Sequence, residues 1–501
     1  MAKSPSIAWL PDWLLKILLP LRDEMDFWLV GGAIRDKFLD RQSFDYDFTV
    51  VKNARKIARS IANTLGAAYF DLDSERDTGR VLFSDDQDQM FILDFAGLRG
   101  NSITEDLGAR DFTINSLAVD LLLPDVIIDP TSGLLDIKDG ILRATSSRSF
   151  LDDPIRILRA IRFAVLFDSR IDPQTLEWMR ESVERFVVLS PERIRDEVFR
   201  IFSLPRPIRA LRLIDHLNLT IHIFPELEAL KGVTQSSPHE HDVWRHTLSV
   251  VDHLGSLLSV MAPVHNPEGA SQLLLGEYSF RLGRFRSDLN KYLDAELSQG
   301  RKLRQLIYLG ALYHDSGKPI VREEIGGKIQ FHNHEEQGAK IISERAIAFR
   351  LSKGEVQWLA RIVEGHLRPS LLSREAKITK RAVYRFIRDT GDVAPGILLL
   401  SLADILGKGD PPVDQISWGS HVKTVRELFA AFYAVDKQTT QQEPLLKGDE
   451  LSSELGITPG PEIGRILVAL KEAQALGEIS SKSEALSLAR TFRSGNQIDR
   501  D

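Results

Sequence analysis

Strand-type alternation is confined to the first third of this 501-residue chain, and that confinement bounds its fold more tightly than any other feature. Between Phe27 and about Ile141, short β-type runs at residues 27–30, 44–51, 80–83, 90–95 and 126–128 are mixed with helical stretches. After Asp152 strand signals nearly vanish, and apolar residues recur at helical spacing, as in residues 155–166, where arginines are interleaved. The pattern predicts an α+β head followed by all-α segments, in an elongated multidomain protein. At this length three or four domains are expected. A composition of 43% hydrophobic and 27% charged residues is enough to build their cores.

Several function classes fall away at once. With no cysteine there is no disulfide framework, no thiolate zinc site and no cysteine nucleophile, so any metal must bind His or carboxylate. No run of about 18 apolar residues occurs. The stretch at residues 13–21 is interrupted by Lys16 and followed by Arg22, Asp23 and Glu24, so it reads as an amphipathic helix in a cytoplasmic protein without a membrane partner. The net charge of −7 does not advertise a nucleic-acid binder, but totals hide patches. Residues 143–212 hold fourteen arginines, no lysine and ten acids, and residues 368–388 hold seven Lys/Arg against Glu375, with Tyr384 and Phe386 interleaved. Arginine forks suit phosphates and aromatics suit unstacked bases. A solvated helix face of ion pairs explains either stretch equally well. The proline-rich residues 204–207 and 235–238 break the helical run, the second as a domain boundary; Pro411-Pro412 breaks it again, and residues 494–501 form a polar, frayed tail. There is no internal repeat.

Chemistry is concentrated in two places. Residues 29–36, LVGGAIRD, read as a strand ending at Gly31-Gly32 and opening a helix, where glycines let backbone approach a ligand and free N–H groups face phosphate. In residues 44–48, FDYDF, the period of two puts Asp45 and Asp47 on one strand face. Adjacent carboxylates repel unless a hard divalent cation bridges them, and Mg²⁺ prefers carboxylate and phosphate oxygens. Two such ions can activate an attacking hydroxyl and stabilise a pyrophosphate leaving group. Asp94 ends the run at residues 91–94 and is either a third acid of that site or a turn former.

These motifs resemble the class II group of tRNA nucleotidyltransferases and bacterial poly(A) polymerases in the polymerase-β superfamily. Five motifs stand in family order: the glycine turn with Asp45 and Asp47; residues 110–117, RDFTINSL; residues 129–136, DPTSGLLD; residues 152–156, DDPIR; and residues 189–197, LSPERIRDE. The resemblance implies a nucleotide site built from Gly31, Gly32, Arg35, Arg110, Asp111, Asn115, Asp153, Arg156 and Arg159, with Asp45 and Asp47 catalytic and holding Mg²⁺. Departures are Asp152, where the family often has Glu, and Ala109, where it often has Arg. Asp153 and Arg156, three apart at a helix start, share a face. Cytosine and adenine both present an amino donor beside a ring-nitrogen acceptor, so a carboxylate and an arginine can select C and A without a template, and a simple i,i+3 ion pair is the alternative. The family's specificity depends partly on a loop between the first two motifs. The short candidate, residues 96–105, points to partial addition such as CC-only or A-only.

The second concentration is His246, His314, Asp315, His334, His366 and Asp404, set at helix starts, ends and interiors. Imidazole and carboxylate of this mix suit divalent metals. Their order resembles the HD superfamily of metal-dependent phosphohydrolases, in which His246, His314, Asp315 and Asp404 match the mononuclear core and His334 and His366 the extra ligands of binuclear members, with Mn²⁺ or Ni²⁺ as candidate metals. Residues 444–465 are similar to the tRNA-gripping tail of the transferases, with Pro461 starting a helix that carries Ile466, Leu467 and Leu470.

The domain reading is a nucleotidyltransferase head at 1–142, a helical RNA-binding neck at 143–235, an HD domain at 236–410 and a helical tRNA-binding tail at 411–501. The expected partners are tRNA and CTP and/or ATP, and the expected reaction adds C and/or A to the tRNA 3′ end with pyrophosphate release. Alternatives are poly(A) addition, a phosphohydrolase at the His-Asp cluster with an RNA-binding head, or a nonenzymatic tRNA-binding or RNA-chaperone protein. Nothing in the sequence sets an oligomeric state.

Overall fold

Alternation in the first third of the chain becomes a seven-stranded mixed sheet. In the computed structural model, which describes residues 9–20, 26–121, 123, 125–237, 239–263, 273–298, 300–375, 377–409, 414–434 and 443–498, its strands are β1 (Phe27–Val30), β2 (Asp45–Val50), β3 (Ala68–Asp73), β4 (Thr78–Ser84), β5 (Met90–Gly97), β6 (Ala118–Asp120) and β7 (Ile127–Ile128). The strand order is β3-β4-β5-β2-β1-β6-β7. The β2–β5 pair is parallel and sets Asp47 opposite Asp94; β1 pairs antiparallel with β2 and sets Val30 opposite Asp47. Alternate residues of β2, Tyr46, Phe48 and Val50, turn into the core, where Phe48 stacks on Phe95 at 4.8 Å and the helix Ala54–Leu65 contributes Ala58 and Ile61. Burying a ring the size of Phe48 is worth about 2–3 kcal/mol. That burial fixes the register, because a one-residue slip would turn Asp45 and Asp47 inward.

Two strands escape the sequence pattern for stated reasons. β3 exposes or half-exposes all its residues, Phe70 and Leu72 included, so no apolar-in alternation marks it. β6 is only three residues long and is held by pairing with β1. The expected run at residues 126–128 shortens to Ile127–Ile128, with Val126 exposed. The amphipathic stretch becomes the helix Asp12–Leu18, which buries Leu14 and Leu18 in the sheet's core. Its flanking residues 21–24 lie outside the described residues.

The chain divides into two compact units, one comprising residues up to Leu204 with Leu213–His222, the other Pro205–Arg212 with residues from Ile223 onward. The changeover between these two units therefore begins at the prolines of residues 204–207. The helix Pro207–His216 starts at Pro207 and is itself shared between the units, so the proline marks where contacts change partners. Pro238 and Pro411-Pro412 lie outside the described residues. In the first unit the sheet is followed by the helices Arg148–Asp152, Arg156–Leu166, Pro173–Glu181 and Pro191–Phe202.

The second unit is helical apart from short strand pairs. The helices Val243–Val260, Leu303–Tyr313, His334–Ala348, Lys353–Gly365 and Ala394–Leu406 pack together, the last buried along almost its whole length. Pro461 starts the helix Pro461–Ala475 as expected, and Ile466 and Leu470 join Leu451, Leu455 and Ala485 in a separate small core. In the basic stretch at residues 368–388, this packing engages four arginines and Phe386. Arg381 and Arg385 clasp Glu472 at 3.0 and 2.9 Å, Arg381 also reaches Glu478 at 2.7 Å, Arg368 and Arg388 pair with Asp389, and Phe386 is fully buried. Those forks and that ring are occupied by the protein itself, so they form an internal clasp in place of an open phosphate and base surface.

Candidate active site of the head and metal cluster of the helical unit

At the end of β1 the chain turns through Gly31 with φ of +73°, a left-handed conformation that favours glycine. A side chain there would also meet Arg110 Nη1 at 3.0 Å and Asp47 Oδ2 at 3.7 Å, so the turn seats two site residues against bare backbone. Gly32 opens the helix Gly32–Phe38. Beside the turn, Asp45, Asp47 and Asp94 each bring a carboxylate oxygen within 4.8 Å of the others. Burial and the neighbouring Asp45 charge push the Asp47 carboxyl up to about 6; burial followed by Asp94 raises Asp45 as well. Asp94 proves to lie within β5, not at a turn, and Arg80 from β4 grips both of its oxygens at 2.8 and 2.7 Å. Three clustered carboxylates on one sheet face, with Asp45 and Asp47 raised, are an arrangement that a divalent cation stabilises.

The residues at 110–117 form a second layer. Arg110 donates to Asp106 and Thr49. Asp111 accepts from Arg159 at 3.0 and 2.6 Å and from Asn115 Nδ2 at 3.0 Å. Burial opposes its charge, but Arg159, Asn115 and Arg156 outweigh burial and hold the Asp111 carboxyl below the usual carboxylate range. Asn115 Oδ1 in turn accepts from Arg35, which pairs with Asp36 and stacks on Phe167 at 4.5 Å. Asp129 caps the turn of the third motif by accepting from Gly133 and Leu134 N–H, and Asp136 accepts from the Thr113 hydroxyl at 2.7 Å.

A cavity of about 510 Å³ opens over these groups. Asp47, Arg110, Asp111, Asp153, Arg156 and Arg159 all line it. Asp45 is exposed beside Asp47 and Asp94, while Gly31, Gly32, Arg35 and Asn115 stand behind the lining. Asp153 is extended at the C-cap of the helix Arg148–Asp152, three residues ahead of the helix Arg156–Leu166, so the expected shared helix face is replaced by a corner between two helices. The simple i,i+3 ion pair does not form. Asp153 Oδ2 accepts from Arg193 at 2.7 Å, Arg156 donates to Ser149 Oγ at 3.1 Å, and Asp153 Oδ1 is buried with no hydrogen-bond partner. Asp94, Arg99, Arg193 and Arg200 also line the cavity. Arg193 and Asp196 sit in the fifth motif, yet nothing in the motif distinguishes cavity-facing members from the rest; Arg80 was detectable only through its register with Asp94. The candidate loop at residues 96–105 is shorter than expected, because β5 runs to Gly97 and the helix Ile103–Gly108 follows, leaving residues 98–102.

In the helical unit all six expected ligands converge and all are buried. They form two triads, His246, His314 and Asp404, and Asp315, His334 and His366. Asp315 links the triads: Oδ2 lies 3.4 Å from His246 Nε2 and 3.2 Å from His314 Nε2, while Oδ1 lies 3.2 Å from His334 Nε2 and 3.9 Å from His366 Nε2. Asp315 Oδ2 thus joins His246, His314 and Asp404 as a group of four, and its Oδ1 faces His334 and His366. Each imidazole places Nδ1 against a backbone carbonyl, of Gly407, Ala311, Phe331 or Val363, which turns Nε2 toward the centre. His334 and His366 keep Nε2 buried without a hydrogen-bond partner, and burial, with His314 and His334, pushes the His366 imidazole down to about 3. Buried imidazole nitrogens left without a hydrogen-bond partner beside a carboxylate fit a divalent-metal cluster. Burial opposes the Asp315 charge, but His314 and Lys318 hold that carboxyl well below the usual range; Lys318 Nζ donates to it at 2.6 Å.

Comparison with known proteins agrees with this geometry. The model described as the poly A polymerase head domain matches residues 27–143, that of the probable RNA and SrmB-binding site of polymerase A matches 170–231, and the HD domain matches 279–389. The A-adding tRNA nucleotidyltransferase of Deinococcus radiodurans is 30% identical over 91% of this chain and 93% of its own length. The CC-adding tRNA nucleotidyltransferase of Thermus thermophilus is 29% identical over 95% of this chain and 96% of its own. The fold is shared with the Thermotoga maritima CCA-adding enzyme solved with tRNA, at a TM-score of 0.57 and 20% identity over 97% of each chain. No helix among the described residues is long and apolar enough to cross a membrane. The chain belongs to the family of class II tRNA nucleotidyltransferases and poly(A) polymerases, as a nucleotidyltransferase that carries an HD domain.

Proposed function

We propose that the head adds C and/or A to the 3′ end of tRNA. The observation that carries this reading is the Asp45/Asp47/Asp94 cluster beside a cavity that also holds Asp153, with one unpartnered oxygen, and Arg156. When bound, Mg²⁺ would supply activation of the 3′ hydroxyl and charge neutralisation on the leaving pyrophosphate. Asp45, Asp47 and Asp94 would hold it. Arg110, Arg159 and the Asp111–Asn115–Arg35 chain orient the incoming nucleotide's sugar and phosphates, with Gly31 giving backbone room for them. Asp153 accepts from the amino group of C or A, and Arg156 donates to the ring nitrogen, so the protein does the work of a template.

The full-length relatives named A-adding and CC-adding, together with the short turn at residues 98–102, support addition of part of CCA. The family-model matches support a head at 1–142, a neck at 143–235 and an HD domain at 236–410; the proposal adds a tail at 411–501 that grips tRNA in the cytoplasm. The test supplies tRNAs ending before, within and one nucleotide short of CCA, with each labelled NTP in turn. Incorporation of C or A alone on one of these ends is the expected result; incorporation on none rejects the reading, and long A tracts indicate poly(A) addition.

A second activity is favoured by a specific observation, the two triads joined through Asp315. We infer that they hold divalent transition metal such as Mn²⁺ or Ni²⁺ and hydrolyse phosphate esters. Release of phosphate from p-nitrophenyl phosphate that depends on added Mn²⁺ or Ni²⁺ is the expected result.

A further inference from the structure

The outer strands of the head sheet carry an apolar shelf that the nucleotide site leaves unused. β3 is the edge strand of that sheet. Its Tyr69 and Asp71 turn toward the helix Ala54–Leu65, where Arg59 lies over the Tyr69 ring at 4.8 Å and Arg55 holds Asp71 at 2.9 Å. Successive side chains of a strand point to opposite faces, so Phe70 and Leu72 project from the other face. There Phe70 is 46% exposed and Leu72 47%.

Register identifies that face as the one bearing the carboxylates. Phe70 stands opposite Arg80, Arg80 opposite Asp94, and Asp94 opposite Asp47. Directly opposed residues share a face, so one row of side chains crosses the sheet from Asp47 to Phe70. Single exposed apolar residues need no explanation, but the place of this pair does. The Gly31 turn ends β1, on one side of β2, and Phe70 lies on the other side, beyond β5 and β4. In an in-line displacement the attacking and leaving oxygens stand on opposite sides of the phosphorus. With the nucleotide's phosphates at the Gly31 turn, the attacking 3′ hydroxyl approaches the carboxylates from the β5 side. The strand that ends in that hydroxyl then lies over β4 and β3. The cavity already extends this way, since Thr78 of β4 and Asp94 and Ala96 of β5 line it. At a strand spacing of about 4.8 Å, Phe70 stands roughly 10 Å from Asp94, within the span of the last nucleotides of a single strand.

Unpaired RNA is held by stacking bases on aromatic faces and by cations along the backbone. Arg80 gives Nε and Nη2 to Asp94, and its side chain is 37% exposed, so the guanidinium borders both the carboxylates and the shelf. The acids beside the shelf are paired, Asp71 with Arg55 and Asp73 with Arg76 at 3.8 Å. Resting on the transferase reading of the head, we infer that Phe70, flanked by Leu72, stacks on the last base of the acceptor tRNA, with Arg80 toward its phosphate. The stack fixes where the 3′ hydroxyl lies. It reads no base edge, which suits an acceptor whose last base changes with each addition.

The test uses the full-length protein with Mg²⁺ and whichever tRNA end it extends, either intact or with the terminal base removed and the 3′ hydroxyl kept. In wild type, base removal should lower the acceptor kcat/KM by roughly 5- to 150-fold, the range of one base–aromatic stack. Phe70→Ser should show that loss already on intact tRNA, and base removal should then cost little more, because the two changes delete one interaction. Phe70→Trp should restore the wild-type difference, and the KM for the nucleotide should stay unchanged throughout. A 4-thiouridine at the terminal position, irradiated without NTP, should crosslink within residues 68–73 of wild type, a readout that needs no turnover. Equal acceptor kinetics in wild type and Phe70→Ser on both tRNA forms, with crosslinks outside residues 68–73, would overturn the shelf while nucleotide addition stands. Wild type that extends no tRNA end would remove the transferase reading and the shelf's role with it. Self-association that Phe70→Ser abolishes, with acceptor kinetics unchanged, would assign the shelf to a second copy of the chain instead.

Discussion

Asp47 illustrates how a site residue can weaken the fold that carries it. Its carboxyl, normally near 3.8, is held at about 6 by burial and by the Asp45 charge. Between those values the native state keeps a proton that the unfolded chain has lost, so this group's contribution to stability falls as pH rises through that window and stays unfavourable above it. Asp47→Asn is therefore expected to stabilise the metal-free head at pH 7 by about 2 kcal/mol while abolishing nucleotide addition and leaving tRNA affinity largely intact. Urea melts in EDTA, paired with an addition assay at saturating Mg²⁺, check both halves; a destabilised variant or normal addition would contradict the account. Asp153 is the second residue whose surroundings commit it. With Oδ1 buried and unpaired, Asp153→Ala removes the acceptor for the base's amino group, a loss of about 1.5–3 kcal/mol or roughly 10- to 150-fold in C or A addition. UTP has no such amine, so its use should fall much less. With all four NTPs at equal concentration on one tRNA, the CTP/UTP ratio should narrow in both Asp153→Ala and Arg156→Ala. Unchanged CTP/UTP and ATP/GTP ratios would mean base selection lies elsewhere.

Among the elements, β2 was legible from sequence because its period of two serves two masters: Tyr46, Phe48 and Val50 are buried, and Asp45 and Asp47 occupy the opposite face. The clasp between the helices Lys380–Thr390 and Pro461–Ala475 was not legible, since the same arginines read equally well as a surface for phosphate until Glu472 is seen beneath them. Glu472 is almost fully buried whereas its arginines are about half exposed, so the interaction stands between a buried and a surface ion pair. Glu472→Ala should cost about 1–2 kcal/mol and loosen the tail helix, seen as faster amide exchange in residues 461–475. Protection equal to wild type would show that the apolar core around Ile466 and Leu470 holds the tail without the clasp.

For the molecule as a whole, the two sets of metal-type ligands belong to different compact units, the Asp45/Asp47/Asp94 cluster to the first and the Asp315 cluster to the second. Asp315→Ala should accordingly remove Mn²⁺- or Ni²⁺-dependent phosphatase activity and leave nucleotide addition within about twofold; a folded variant that lost both would refute the separation. Sequence alone determined the α+β head with helical segments after it, the carboxylate pair on one strand face, the six residues of the His-Asp cluster and the family. Each of these is written in local periodicity or in the order of short motifs, which survives without knowledge of distant contacts. Tertiary structure alone decided that Asp94 joins Asp45 and Asp47, through a parallel register between strands more than forty residues apart, and that Arg80 grips it. It also decided that Asp315 is shared between two triads, that Asp153 keeps an unpaired oxygen, and that the arginines at 381 and 385 are already occupied. Those facts depend on which side chains meet across the fold, and chain-distant encounters are set by packing and register, which local residue order does not encode.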